Sequence, residues 1–225
     1  MIALLLLAAV PLPGGQVLSE HLPNVLSDAK VGEWVTYRFD DGAGREYFWR
    51  IAVVGEDTDA KGRPAVWVEL DLGTHHAMKA PIAQMKVLAS RAQGMSAQGV
   101  TRMYSAFGVE RAREVEPAEL PKLMGREPAR AAAPPGADVK VTKGAPTRLF
   151  TLGGTVTATP VEVKLRDTVL KRFWLSDAVP ILRLAKIELP AIQHAMEVRD
   201  WGLDAKPQMV PPEPGAATIR MEGAK

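Results

Sequence analysis

The stretch Arg172 to Leu189, RFWLSDAVPILRLAKIEL, most narrows what this chain can fold into. Its aromatic and β-branched residues suit a half-buried pleated surface, and Pro180 cannot donate to a ladder, so it belongs at a strand start or edge. Two strands, Arg172 to Ser176 and Ile181 to Leu189, joined at a Ser-Asp-Ala-Val-Pro corner, are the reading. A chain built around such a unit needs further strands to pair with it.

Those strands are easily found upstream. Trp34 to Phe39, Glu46 to Val54 and Pro64 to Asp71 carry the same residue types. Asp40-Asp41-Gly42-Ala43-Gly44 and Gly55 to Arg63 separate them with the Gly and Asp of turn chemistry. Ile82 to Ser90 alternates as a strand would, although Ile82, Met85 and Ala89 also fit one helical face behind Pro81; its place after three strands favours the strand. Val100 to Phe107, Arg148 to Leu152, Thr155 to Leu165 (interrupted by Pro160) and Ile192 to Trp201 complete the set. Ser19 to Lys30 reads as a short amphipathic helix with Gly32 just past its end.

Two segments stand apart in composition. The span 114–146, with Ala131-Ala132-Ala133-Pro134-Pro135-Gly136 at its centre, reads as a long surface excursion, mobile over Pro128 to Asp138. From Lys206 onward Pro207, Pro211, Pro212 and Pro214 break any regular pattern, which predicts a loosely held tail. The expectation is one β-rich domain over residues 16–225. Its fold class is mainly β with a few helices (α+β), a curved antiparallel sheet or incomplete barrel.

Location is read from the start of the chain. Ile2 to Val10 is an unbroken apolar run that ends in Pro11-Leu12-Pro13-Gly14-Gly15, the core and helix-breaking end of a signal peptide over residues 1–15. The run is too short to span a membrane, which takes about 20 apolar residues. A mis-set start or a buried N-terminal element is the competing reading. Export predicts a periplasmic or secreted bacterial protein, with a mature chain that begins near Gln16.

Composition removes several functions. The 225 residues carry a formal net charge of +2, too little for a nucleic-acid footprint. Cysteine is absent, which leaves no disulfide, thiolate metal site, cysteine nucleophile or lipidated cysteine. His75-His76 is the only histidine pair, without ligand spacing, and a turn accounts for it. Asp40-Asp41 and Asp57 with Asp59 lie among glycines, where Asp bonds nearby backbone. Ser90, Ser105 and Ser176 lack a nucleophile elbow, and no phosphate loop or dinucleotide fingerprint occurs. No catalytic residue, metal site or cofactor is assigned, so a non-enzymatic role is expected.

The remaining candidates are apolar. Trp34, Phe48, Trp49, Trp67, Phe173, Trp174 and Trp201, with Met78, Met85, Met95 and Met103, can line a hydrophobic ligand cavity or equally fill an ordinary core. Trp34, Trp49, Trp67, Met85 and Trp174 are the ligand-binding candidates.

Val31-Gly32-Glu33-Trp34-Val35-Thr36-Tyr37-Arg38, Thr151-Leu152-Gly153-Gly154-Thr155-Val156 and Trp174-Leu175-Ser176-Asp177-Ala178-Val179-Pro180 are the residues on which the chain resembles exported bacterial domains related to the LolA/LolB-like lipoprotein-handling fold, over most of Ala29 to Leu203. The resemblance implies an incomplete, strongly curved antiparallel barrel around helices, with an apolar concavity for acyl chains. On it rests the expectation of a periplasmic binding protein for a lipid or lipoprotein acyl chain. The alternative is a structural or adaptor component of an envelope complex, with a protein partner and a concavity filled by its own side chains.

Overall fold

A computed structural model describes residues 26–40, 44–96, 98–121, 139–190 and 193–219. The signal-peptide segment, most of the Ser19 to Lys30 helix and Pro128 to Asp138 therefore lie outside the described residues.

The first half of the chain is a meander. Strands β1 (Trp34–Asp40), β2 (Glu46–Thr58), β3 (Pro64–Gly73), β4 (Ala83–Ser90), β5 (Val100–Phe107) and β6 (Arg113–Glu114) pair in sequence, each antiparallel to the last. The second half is another: β7 (Val139–Lys143), β8 (Thr147–Thr151), β9 (Gly154–Leu165), β10 (Thr168–Leu175), β11 (Leu184–Leu189) and β12 (His194–Gly202). Strands β9 to β12 pair in sequence, and β7 and β8 share β9. The two meanders join where β1 pairs with β12, giving one 12-stranded antiparallel sheet ordered β6-β5-β4-β3-β2-β1-β12-β11-β10-β9-β7. Sheets of this width curl, yet this path does not close into a barrel. Helix among the described residues is limited to one turn at residues 117–121 and to Pro190.

Alternation gives the sheet its two faces. Val35 and Tyr37 of β1, Ile51 and Val53 of β2, Val66, Val68 and Leu70 of β3, Met85 and Val87 of β4, and Met103 of β5 point to one side and form a single core with Val163, Phe173 and Val198. The Tyr37 hydroxyl donates to the Leu184 carbonyl at 3.0 Å, and burial pushes that phenol well above its ordinary pKa. The β2–β3 turn is built on Asp59, whose carboxylate accepts from the amides of Lys61 and Arg63 and from the Arg63 side chain. Those bonds hold its pKa below the usual carboxylate value.

Several expectations are corrected. Pro160 does not interrupt its strand: β9 runs through it from Gly154 to Leu165. Residues 154–158 of β9 pair with β8 and 161–165 with β7, so the proline falls at the changeover, where its missing N–H faces no partner strand. The buried positions also shift phase there, from Val156 and Ala158 to Val161 and Val163. The corner between β10 and β11 is longer than expected, because Ile181 and Arg183 take positive φ and pairing resumes only at Leu184. Part of the Ala/Pro-rich excursion is an edge strand, β7.

The C-terminal segment is docked on the sheet rather than unattached. It crosses the outer face of the first meander, and Ile219 forms a parallel bridge with Val115 beyond β6.

Candidate binding surfaces

Of the five residues expected to line a ligand site, three meet at the one core: Met85 lies within it, and Trp49 and Trp174 pack half-buried against it. Trp49 and Met85 belong to the core face, where Trp49 lies beside Tyr37 at 6.1 Å between ring centroids. Trp34 and Trp67 project from the opposite, outer face of β1 and β3. Trp174 lies on the other meander, half-buried beneath the Lys186 ammonium at 5.4 Å. The core face is packed by its own side chains: Val35, Tyr37, Val53, Val66, Val87 and Val163 have no measurable exposure.

Among the described residues the core face also holds a buried cation. The register sets Lys171 beside Val163, two residues before Phe173, and the side chain is 3% exposed. It has no carboxylate or hydrogen-bond partner among the described residues, and desolvation depresses its pKa.

The outer face of β2 to β5 is more unusual. Alternation that turns valines inward turns Arg50, Glu69, Asp71, Gln84 and Lys86 outward, yet all but the half-buried Gln84 are buried by a second layer. Cross-strand register aligns these groups: Arg50 Nη1 is 3.1 Å from Asp71 Oδ2, Gln84 Nε2 donates to Asp71 Oδ1 at 2.9 Å, and Lys86 Nζ is 3.2 Å from Glu69 Oε1. Desolvation raises the Asp71 pKa, opposed by the Gln84 hydrogen bond and Arg50.

Beside these pairs is an aromatic shelf. Trp67 and Tyr104 stack at 5.3 Å, and the Arg102 guanidinium lies 5.8 Å from the first ring and 5.4 Å from the second. Sequence reasoning found Trp67 but missed Glu69, Lys86, Tyr104 and Arg102. Their i, i+2 spacing on β3, β4 and β5 was visible, but not that this side of the sheet would be covered.

The cover is the segment after β12. Asp204 accepts from the Trp34 indole at 2.8 Å, and the Ala205 amide donates to the Gly32 carbonyl at 2.8 Å. The Trp34 bond is the largest cause of a lowered Asp204 pKa. The amides of Gln208 and Met209 donate to the two carboxylate oxygens of Glu69 at 2.8 and 3.2 Å. Met209 itself, 4% exposed, packs with Tyr104, Ala106, Trp67 and Ala112. An open cleft of about 310 Å³ then separates Pro212 to Ala216 from Arg102, Tyr104 and Glu114. The segment closes on the sheet edge, where the Ile219 amide donates to Glu114 and its carbonyl accepts from Glu116.

This arrangement recognises backbone. One buried carboxylate takes two successive amides, and an apolar slot takes the side chain of the second. Chemically it is a seat for an extended peptide. No group of three potential metal ligands occurs among the described residues.

No protein-family model matches the sequence, and no curated protein matches it. Among solved structures, MucB in complex with MucA(peri) is similar at 14% identity and a TM-score of 0.42, over 88% of this chain and 59% of that one. The Pseudomonas aeruginosa MucA/MucB complex follows at 12% identity and a TM-score of 0.39, over 81% of this chain and 55% of the other. A Bacteroides fragilis protein with a YmcC-like fold matches at 9% identity and a TM-score of 0.34, over 77% of this chain and 97% of that one. The chain thus spans less than two thirds of the MucB structures it is similar to. At these low scores and identities the likeness fixes neither a shared fold nor a role.

Proposed function

We propose that this chain is a non-enzymatic adaptor of the bacterial envelope that binds a protein partner. The observation that carries the reading is the outer face of β2 to β5, where Glu69 holds the amides of Gln208 and Met209 above the Trp67–Tyr104 shelf. Its chemistry serves recognition of an extended polypeptide. The apolar run Ile2 to Val10 and its helix-breaking end support an extracytoplasmic location. Native mass spectrometry of protein purified from its own host tests the reading. A stable complex with a second polypeptide and no lipid adduct is expected; a co-purifying lipid without a protein partner overturns it.

A second reading, an acyl-chain binding protein, is favoured by one observation. Lys171 lodges an ammonium in an apolar core face, and a fatty-acid carboxylate or a lipid phosphate would neutralise it. Under this reading the lipid adduct disappears from the Lys171→Met protein while the fold persists.

A further inference from the structure

The segment 204–219 is attached at two places, and between them only exposed side-chain contacts hold it, Glu213 to Arg111 at 3.9 Å and Thr218 to Glu116 at 2.8 Å. Its first attachment runs from Asp204 to Met209 and its second is Ile219. Between them Val210 is 80% exposed, and the cleft against Arg102, Tyr104 and Glu114 lies beneath Pro212 to Ala216. Pro207, Pro211, Pro212 and Pro214 keep the backbone extended and remove the amides with which it could zip onto the sheet. One buried side chain and a few hydrogen bonds therefore secure the first attachment. Such a segment belongs to the low end of local stability, opening without the rest of the fold.

What lies beneath is a finished binding surface. Glu69 also has its Lys86 partner at 3.2 Å, a contact within the sheet that holds the carboxylate in position when the segment lifts. The Trp67 and Tyr104 rings are stacked on each other with Arg102 against them, and this shelf too is held by the sheet.

The geometry points to a peptide-binding groove that the chain occupies in cis. Residues 204–219 are its resident strap. Its ligand in trans is an extended, proline-flanked segment of a partner protein with an unbranched apolar anchor seated where Met209 sits. The inference rests on the adaptor reading and adds to it a site, a ligand class and a reason for restraint, since a partner must displace the strap to bind.

Two measurements on the full chain test it. By hydrogen exchange, the Gln208 and Met209 amides should exchange at least ~100-fold faster than those of Val68 and Val198, because they open locally. Exchange of all four at one rate, through global unfolding, overturns the inference. A fluorescently labelled peptide of residues 204–219 should bind the Met209→Ser protein at least ~10-fold more tightly than wild type, because the variant empties the groove. The same peptide with serine in place of its methionine should not bind. Gln208→Pro, which removes one amide at an exposed position, provides a second loosened variant should Met209→Ser fail to fold. Absence of peptide binding to a folded variant whose strap amides exchange freely also overturns the inference. Failure of the adaptor reading looks different: the peptide binds the groove, but no protein partner accompanies the chain from its host.

Discussion

Phe173 and Trp174 are neighbours on β10 that differ in burial. Phe173 is 2% exposed within the core, while Trp174 packs against the same core only half-buried, with the Lys186 ammonium 5.4 Å from its ring. Phe173→Ala should cost about 3–5 kcal/mol through the cavity it leaves, and Trp174→Ala only about 1–2 kcal/mol. Equilibrium denaturation of both variants checks the order, and equal losses would contradict it. Alternation told that one of the pair faces inward, but not which, because the ladder to β11 shifts register between Trp174 and Leu175. Lys171 escaped for a related reason: the ladder to β9 shifts between Val169 and Lys171, with Leu170 between. Burial makes the folded chain hold the Lys171 proton less tightly than the unfolded chain. Its penalty is present at neutral pH and fades as pH climbs toward about 10.4, the value of an unperturbed lysine. Lys171→Met should therefore raise stability at pH 7 by about 1 kcal/mol or more. The gap between variant and wild type should narrow as pH rises toward about 10.4. A gap that stays constant with pH would remove burial of the ammonium as its cause.

At the scale of elements, the strands were legible and their ends were not. Val100–Phe107 and the starts of the first three strands follow from residue type and turn chemistry alone. Pro160 misled because a proline inside a strand argues against that strand unless the neighbour changes there, which only the pairing of β9 reveals. Gly144 reinforces that changeover: its amide donates to the Pro160 carbonyl, and a Cβ on it would press into the proline ring. The tail misled in the opposite direction. Its prolines do forbid a ladder, but Met209 and two free amides suffice to dock it, and nothing local says that Glu69 waits across 139 residues of chain. Gly32 shows what the docking asks of the element before β1. It takes a φ of +99°, and a Cβ there would collide with the Leu203 carbonyl. Gly32→Ala should cost about 1–3 kcal/mol in backbone strain. Because the Gly32 carbonyl receives the Ala205 amide, the same change should speed exchange at Ala205. Unaltered exchange there would separate Gly32 from the strap.

At the largest scale, the sheet is two contiguous meanders, and among the described residues the only ladder between them is that of β1 with β12. Each half is assembled from neighbours in sequence, so its strands close short loops, whereas the central ladder joins Trp34 to Gly202 across nearly the whole chain. Folding should accordingly be limited by the meeting of preformed halves, with refolding slowed most by substitutions along β1 and β12. The strap belongs to the second half and lies on the first, so it grips across the same seam from outside. A chain divided between Pro121 and Val139 therefore keeps every described strand pairing within one fragment or at that seam. Co-expressed as two polypeptides, the fragments should find each other and restore the native tryptophan emission, with an affinity that falls when Met209 is replaced. The fold thereby contains a ready-made bimolecular reporter, whose signal depends on the concentration of its two pieces.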